Sequence, residues 1–136
     1  MKIIVFVALA VLTFSCTCQK NQQKSASAFV EISFGSSGGF SGMGNVYLLK
    51  SNGEVFKQSE NPSIINTISK KEIKQISRII AEKDLNNLKF SETGNMNYFI
   101  EIKTGTAVNK LNWTDSSQSP EIKEFYKTLV ATLKQK

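Results

Sequence analysis

From Ala28 onward the hydrophobic positions alternate between a period of two and the longer period of a helix. Val30, Ile32 and Phe34 alternate with Glu31 and Ser33, the pattern of a half-buried strand. After a glycine-rich stretch, Asn45–Lys50 (NVYLLK) is rich in strand formers. Asn52-Gly53 follows, and Asn-Gly between apolar runs marks a tight hairpin because both central residues need positive φ. A two-residue turn there pairs Leu49 with Phe56, with Val55 and Phe56 continuing the return strand. Residues 59–63 (SENPS) break the sheet. Ser69 and Glu72 then form a capping box, and Ile73, Ile76, Ile79 and Ile80 share one helical face, with Lys71, Lys74 and Arg78 on another. The helix is expected to end near Lys83, after which Leu85, Leu88 and Phe90 lead back toward the core.

The second half gives a hairpin and a helix again, without a repeat of the sequence. Residues 97–103 alternate Tyr98, Ile100 and Ile102 against Phe99, Glu101 and Lys103. Thr104-Gly105 suits a turn, and residues 107–113 return with Ala107, Leu111 and Trp113 on one side. A final helix opens with Ser119 as N-cap, Pro120 at its first position and Glu121 in its first turn. Ile122, Phe125, Tyr126, Leu129 and Leu133 form its apolar stripe. Tight hairpins give an antiparallel sheet and amphipathic helices cover one face of it. The expected fold is therefore α+β: a small antiparallel sheet of about five strands in two hairpins, covered by two helices.

Composition fits one domain: 136 residues, 40% hydrophobic and 21% charged, which excludes a chain disordered throughout. The net charge of +6 suits an anionic surface, an acidic partner or simply a solvated lysine-rich face. The N-terminus bears on that choice. Lys2 precedes an apolar run over residues 3–14, too short to span a bilayer but of signal-peptide length. Ser15 then stands just before Cys16. This segment, with Leu12 upstream, resembles the lipobox of bacterial lipoproteins. The resemblance implies cleavage before Cys16 and acylation of Cys16, with the protein anchored in the cell envelope at the periplasmic face of the outer membrane. More than one acyl chain gives stable attachment without a transmembrane helix. Export also argues against a nucleic-acid partner. The expected organisation is residues 1–15 as leader, 16–27 as lipidated Cys and polar spacer, and 28–136 as a single domain. Cys16 and Cys18 are the only cysteines, so a lipidated Cys16 leaves no disulfide for the domain.

Candidate chemistry is sparse. The chain has no histidine, which removes the commonest general base and metal ligand together. The eleven Asp and Glu residues show no calcium-loop spacing. Glu31 and Glu101 sit on strands, at positions expected to face solvent. No cofactor and no metal is expected, and the chain is not read as an enzyme. Trp113 and Tyr98 are read as core, and Lys71, Lys74 and Arg78 as a solvated face with lipid binding as the alternative.

The glycine-rich stretch, residues 34–44 (FGSSGGFSGMG), is unusual in carrying Phe40 and Met43. No Gly-Lys-Ser/Thr follows it and the next element reads as a strand, which argues against a phosphate-binding P-loop and leaves at most a small anion nest. Two readings stay open. Either Phe40 tucks into the core, or the segment is a recognition loop that inserts Phe40, with Met43, into a partner. Residues 36–44 resemble the Ser-Gly-Gly-Phe-Ala-Gly segment of emfourins, small bacterial protein inhibitors of thermolysin-like metallopeptidases. Ser37, Gly38, Gly39, Phe40 and Gly42 match, and Ser41 stands in place of Ala. The order of elements over most of residues 28–133 is similar as well. The resemblance implies a peptidase as partner and a binding site within Ser37, Gly38, Gly39, Phe40, Ser41, Gly42 and Met43. The alternative is an accessory lipoprotein that partners other envelope proteins and inhibits nothing.

Overall fold

The structure, a computed structural model, describes residues 27–39 and 44–134. The leader, Cys16, the spacer up to residue 26 and the segment Phe40, Ser41, Gly42 and Met43 lie outside the described residues. The elements are β1 (Glu31–Gly38), β2 (Asn45–Lys50), β3 (Glu54–Gln58), β4 (Ser63–Thr67), α1 (Lys70–Glu82), β5 (Met96–Lys103), β6 (Val108–Thr114) and α2 (Pro120–Ala131). The strands form one antiparallel sheet of six, in the order β4-β3-β2-β1-β5-β6. The α+β class holds, with six strands where about five were expected.

The extra strand is β4. Its two isoleucines are adjacent, so the sequence SIINT does not alternate. As successive residues of a strand they face opposite sides: Ile65 packs against the core while Ile64 is 54% exposed, and the register shift opposite Val55/Phe56 leaves Ile65 as the extra residue of β4. The neighbouring hairpin also departs from expectation. Leu49 stands opposite Val55, and Leu48 opposite Phe56. The connection is Ser51-Asn52-Gly53, one residue longer than a two-residue turn. Gly53 carries φ 97°, and its N–H donates to Lys50 O at 2.9 Å. Asn52 Oδ1 accepts from the Glu54 N–H at 3.1 Å and steadies the exit. One residue of slip reverses the faces of β3. Val55 is fully buried, and Phe56 lies on the other side under Lys50, whose Nζ is 4.5 Å from the ring centroid.

One face of the sheet is dry. Ile32 and Phe34 of β1, Leu49 of β2, Ile100 and Ile102 of β5, and Leu111 and Trp113 of β6 meet Ile73, Ile76 and Ile80 of α1 and Ile122, Phe125 and Leu129 of α2. The capping box is present: Glu72 N–H donates to Ser69 Oγ, and Ser69 N–H to Glu72 Oε2. α1 ends without a glycine. Asp84 adopts φ 48°, the Leu85 N–H reaches back to Ile80 O and the Asp84 N–H to Ala81 O. That turn drives Leu85 into the core. Asn109 is buried in the same region, where its Nδ2 donates to Leu85 O and Leu88 O and its Oδ1 accepts from Lys89 Nζ. It fastens the chain after α1 to β6. Ser119 occupies the N-cap of α2 without a side-chain cap bond.

The other face of the sheet mixes charge with apolar side chains. Glu31 stands between Lys50 and Lys103 in register and pairs with Lys103 at 3.2 Å. Leu48, Phe56, Ile64 and Phe99 lie on this face too, with Lys110 Nζ 5.5 Å from the Phe99 ring centroid.

Candidate functional site

The glycine-rich segment is less of a loop than its composition suggests. Gly35, Ser36, Ser37 and Gly38 continue β1 and pair with Phe99, Tyr98, Asn97 and Met96 of β5. Small residues are required here because backbones approach closely. A Cβ on Gly35 would lie 2.0 Å from Asn45 O, and one on Gly44 the same distance from Ser36 O. Gly38 carries φ 101° and Gly39 φ 78°. The Gly39 N–H donates to Asn95 O at 2.9 Å. The turn that receives it is itself braced, with Asn97 Oδ1 accepting from the Gly94 N–H at 2.7 Å and Asn97 Nδ2 donating to Gly94 O at 2.8 Å.

Of the residues assigned to recognition, Ser37, Gly38 and Gly39 therefore form one side of a braced stem, and Ser37 is exposed. Phe40, Ser41, Gly42 and Met43 fall between the two described stem ends, outside the described residues. Cys16 lies outside them as well.

Sequence reasoning did not assemble the aromatic cluster beside this stem. Tyr47 stands opposite Phe34 and Tyr98 opposite Ser36. Tyr126 of α2 meets Trp113, Tyr98 and Phe34 at centroid distances of 5.1, 5.8 and 6.3 Å, and Tyr98 stacks on Trp113 at 5.8 Å. Trp113 and Phe34 are buried, in keeping with the core reading of Trp113, whereas the three tyrosines each keep some of their surface in solvent. Only the strand register brings Tyr47 to this end. The 3.6-residue stripe of α2 already pointed to Tyr126.

The tyrosine hydroxyls have distinct surroundings. Tyr98 donates to the Asp115 carboxylate; that bond, then burial, then the carboxylate's charge raise its pKa above the ordinary 10.0. Burial, followed by the nearness of Tyr98 and Tyr47, raises that of Tyr126. Because the folded value lies above the unfolded one, the Tyr98–Asp115 bond stabilises the fold fully below pH 10.0 and is lost as pH rises through the raised value. Asp115→Asn should move one tyrosine transition down toward 10.0, measured as tyrosinate absorbance during alkaline titration. An unchanged titration curve would remove Asp115 as the cause.

Asp115 belongs to a hydroxyl-lined turn before α2. Thr114 N–H donates to Ser117 Oγ at 2.8 Å, and Ser117 Oγ bonds the Glu92 carboxylate. A shallow cavity of about 290 Å³ opens between this turn and residues 93–96. Among the described residues no group of Cys, Asp or Glu is arranged to hold a metal ion. Glu31, paired with Lys103, and Glu101 lie on the open sheet face, away from this cavity. No helix among the described residues is long and apolar enough to cross a membrane. Comparison with protein-family models and with curated proteins finds no match for the chain.

Proposed function

We propose that the protein is a binding module of the bacterial cell envelope, held on the membrane by acylated Cys16 and engaging a protein partner through the hairpin tip around Phe40. It performs no chemistry of its own. The observation that carries this reading is the course of β1. The chain from the tether enters β1 at Glu31, and the glycine hairpin leaves it at Gly38. Seven residue steps separate those ends, roughly 23 Å of extended chain. The described stem ends, Gly39 and Gly44, thus lie at the end of β1 opposite Glu31, on a stem braced by Asn95. A large apolar anchor on a rigid support is the usual make-up of an interface hot spot.

The resemblance to emfourins makes a thermolysin-like metallopeptidase the first partner to test. The protein should slow peptide hydrolysis by such an enzyme. Phe40→Ala should weaken inhibition on the order of thirtyfold, the loss of a hot spot of about 2 kcal/mol, while the thermal midpoint stays in place. A panel of these peptidases running at full rate in its presence would end the inhibitor reading. Mass spectrometry of membrane-extracted protein should find a chain that begins at Cys16 and carries fatty acid. An uncut, unacylated chain would overturn the anchor.

A second reading, an assembly accessory with no inhibitory activity, draws support from the apolar residues of the open sheet face, Phe56, Phe99 and Ile64 among them. It predicts envelope proteins crosslinked through that face and undisturbed peptidases.

A further inference from the structure

We infer that the tether end of the domain docks on anionic phospholipid, seating a lipid phosphate in the cavity between the Ser51-Asn52-Gly53 turn and the first two turns of α1. This rests on the anchor reading above and adds an orientation to it. The cavity, about 280 Å³, has Ile73 at its floor and Ser27, Ser51, Asn52, Lys70, Lys74 and Ser77 around it. Ser27 is the first described residue after the spacer, and the Ala28 N–H donates to Ser77 Oγ at 3.4 Å, so the tether arrives at the rim of this cavity.

Charge at the rim is unbalanced. Lys70, Lys71, Lys74 and Arg78 are exposed and make no ion pair among the described residues. Glu54, which accepts from Asn52 Nδ2 at 2.9 Å, and Glu72, which caps Ser69, keep their negative charge, so these four cations still outnumber the two carboxylates beside them. Two ammonium groups and the Ser51 hydroxyl can donate to phosphate oxygens. The eleven residues from Cys16 to the start of the described chain reach at most about 40 Å fully extended, so the domain stays within reach of the headgroups. Each lysine near an anionic leaflet adds about 1 kcal/mol to attraction, so Lys70 and Lys74 together would contribute about 2 kcal/mol to docking.

The test is hydrogen exchange on the full-length protein with vesicles of phosphatidylglycerol, of phosphatidylcholine, and with inorganic phosphate alone. Amides of residues 51–53 and 70–74 should be protected with phosphatidylglycerol only. Lys70→Gln with Lys74→Gln should lower the docked-to-free ratio about thirtyfold and abolish that protection. Retention on phosphatidylcholine vesicles reports the anchor independently. Protein retained on both lipids without protection at these amides refutes the docking and leaves the anchor standing. Protein released from phosphatidylcholine yet protected by phosphatidylglycerol keeps the docking and refutes the anchor. Equal protection by free phosphate refutes the membrane as the source.

Discussion

Phe34→Ala should lower the free energy of unfolding by about 3–5 kcal/mol, the usual range for a buried phenylalanine. Phe34 is fully buried on the central strand, opposite Tyr47 on one side and Ile100 on the other. Its ring centroid lies 5.7 Å from that of Tyr47 and 6.3 Å from that of Tyr126. A cavity here is bounded by strands on both sides and by α2 above, so the surroundings have little freedom to collapse. Urea titration should show a lower midpoint at an unchanged slope. The same truncation at Phe56, on the open face, should cost far less. Equal losses at the two positions would show that the dry side of the sheet had been assigned wrongly.

Gly38→Ala should cost about 2–4 kcal/mol, adding the strain of a glycine-type backbone to the forced separation of packed chain. At φ 101° an L side chain is strained, and the new Cβ would stand 2.4 Å from Asn95 O. That oxygen is the one that holds the Gly39 N–H. The substitution therefore breaks the brace at the base of the tip, and amide exchange should quicken at Gly39 before it does at Ile32. A variant as stable as the parent, with Gly39 still protected, would mean that the stem does not depend on this glycine.

Both helices could be read from the sequence because their signals are local. A capping box, a proline-started turn and an isoleucine stripe each act within a few residues. The Asn-Gly hairpin was legible as a hairpin but not in register, since the extra loop residue depends on Gly53 alone taking positive φ. β4 was hidden because its apolar residues, Ile64 and Ile65, are adjacent and do not alternate with polar ones. Serine and glycine disguised the last half of β1, where close approach to β2 and β5, and not strand propensity, selects the residues. Asn109 looks like any polar strand position until its two carbonyl partners arrive from the turn after α1. The stem of the candidate site could be located only through strand pairing, because no local pattern relates Gly39 to Asn95.

β1 runs from Glu31, the end that receives the N-terminal segment, to Gly38 at the glycine hairpin, and is hydrogen-bonded along its length to β5 on one side and over most of it to β2 on the other. If the domain is tethered ahead of β1 and a partner holds the hairpin, as proposed, a pull between them would load β1 along its own axis. Both ends of that load would lie on one strand, so the tension would pass along the covalent backbone of β1, and the ladder bonds, which lie across that axis, would carry little of it. On that proposal the rest of the sheet would be spared the load, and the fold would stay intact while the hairpin is tugged.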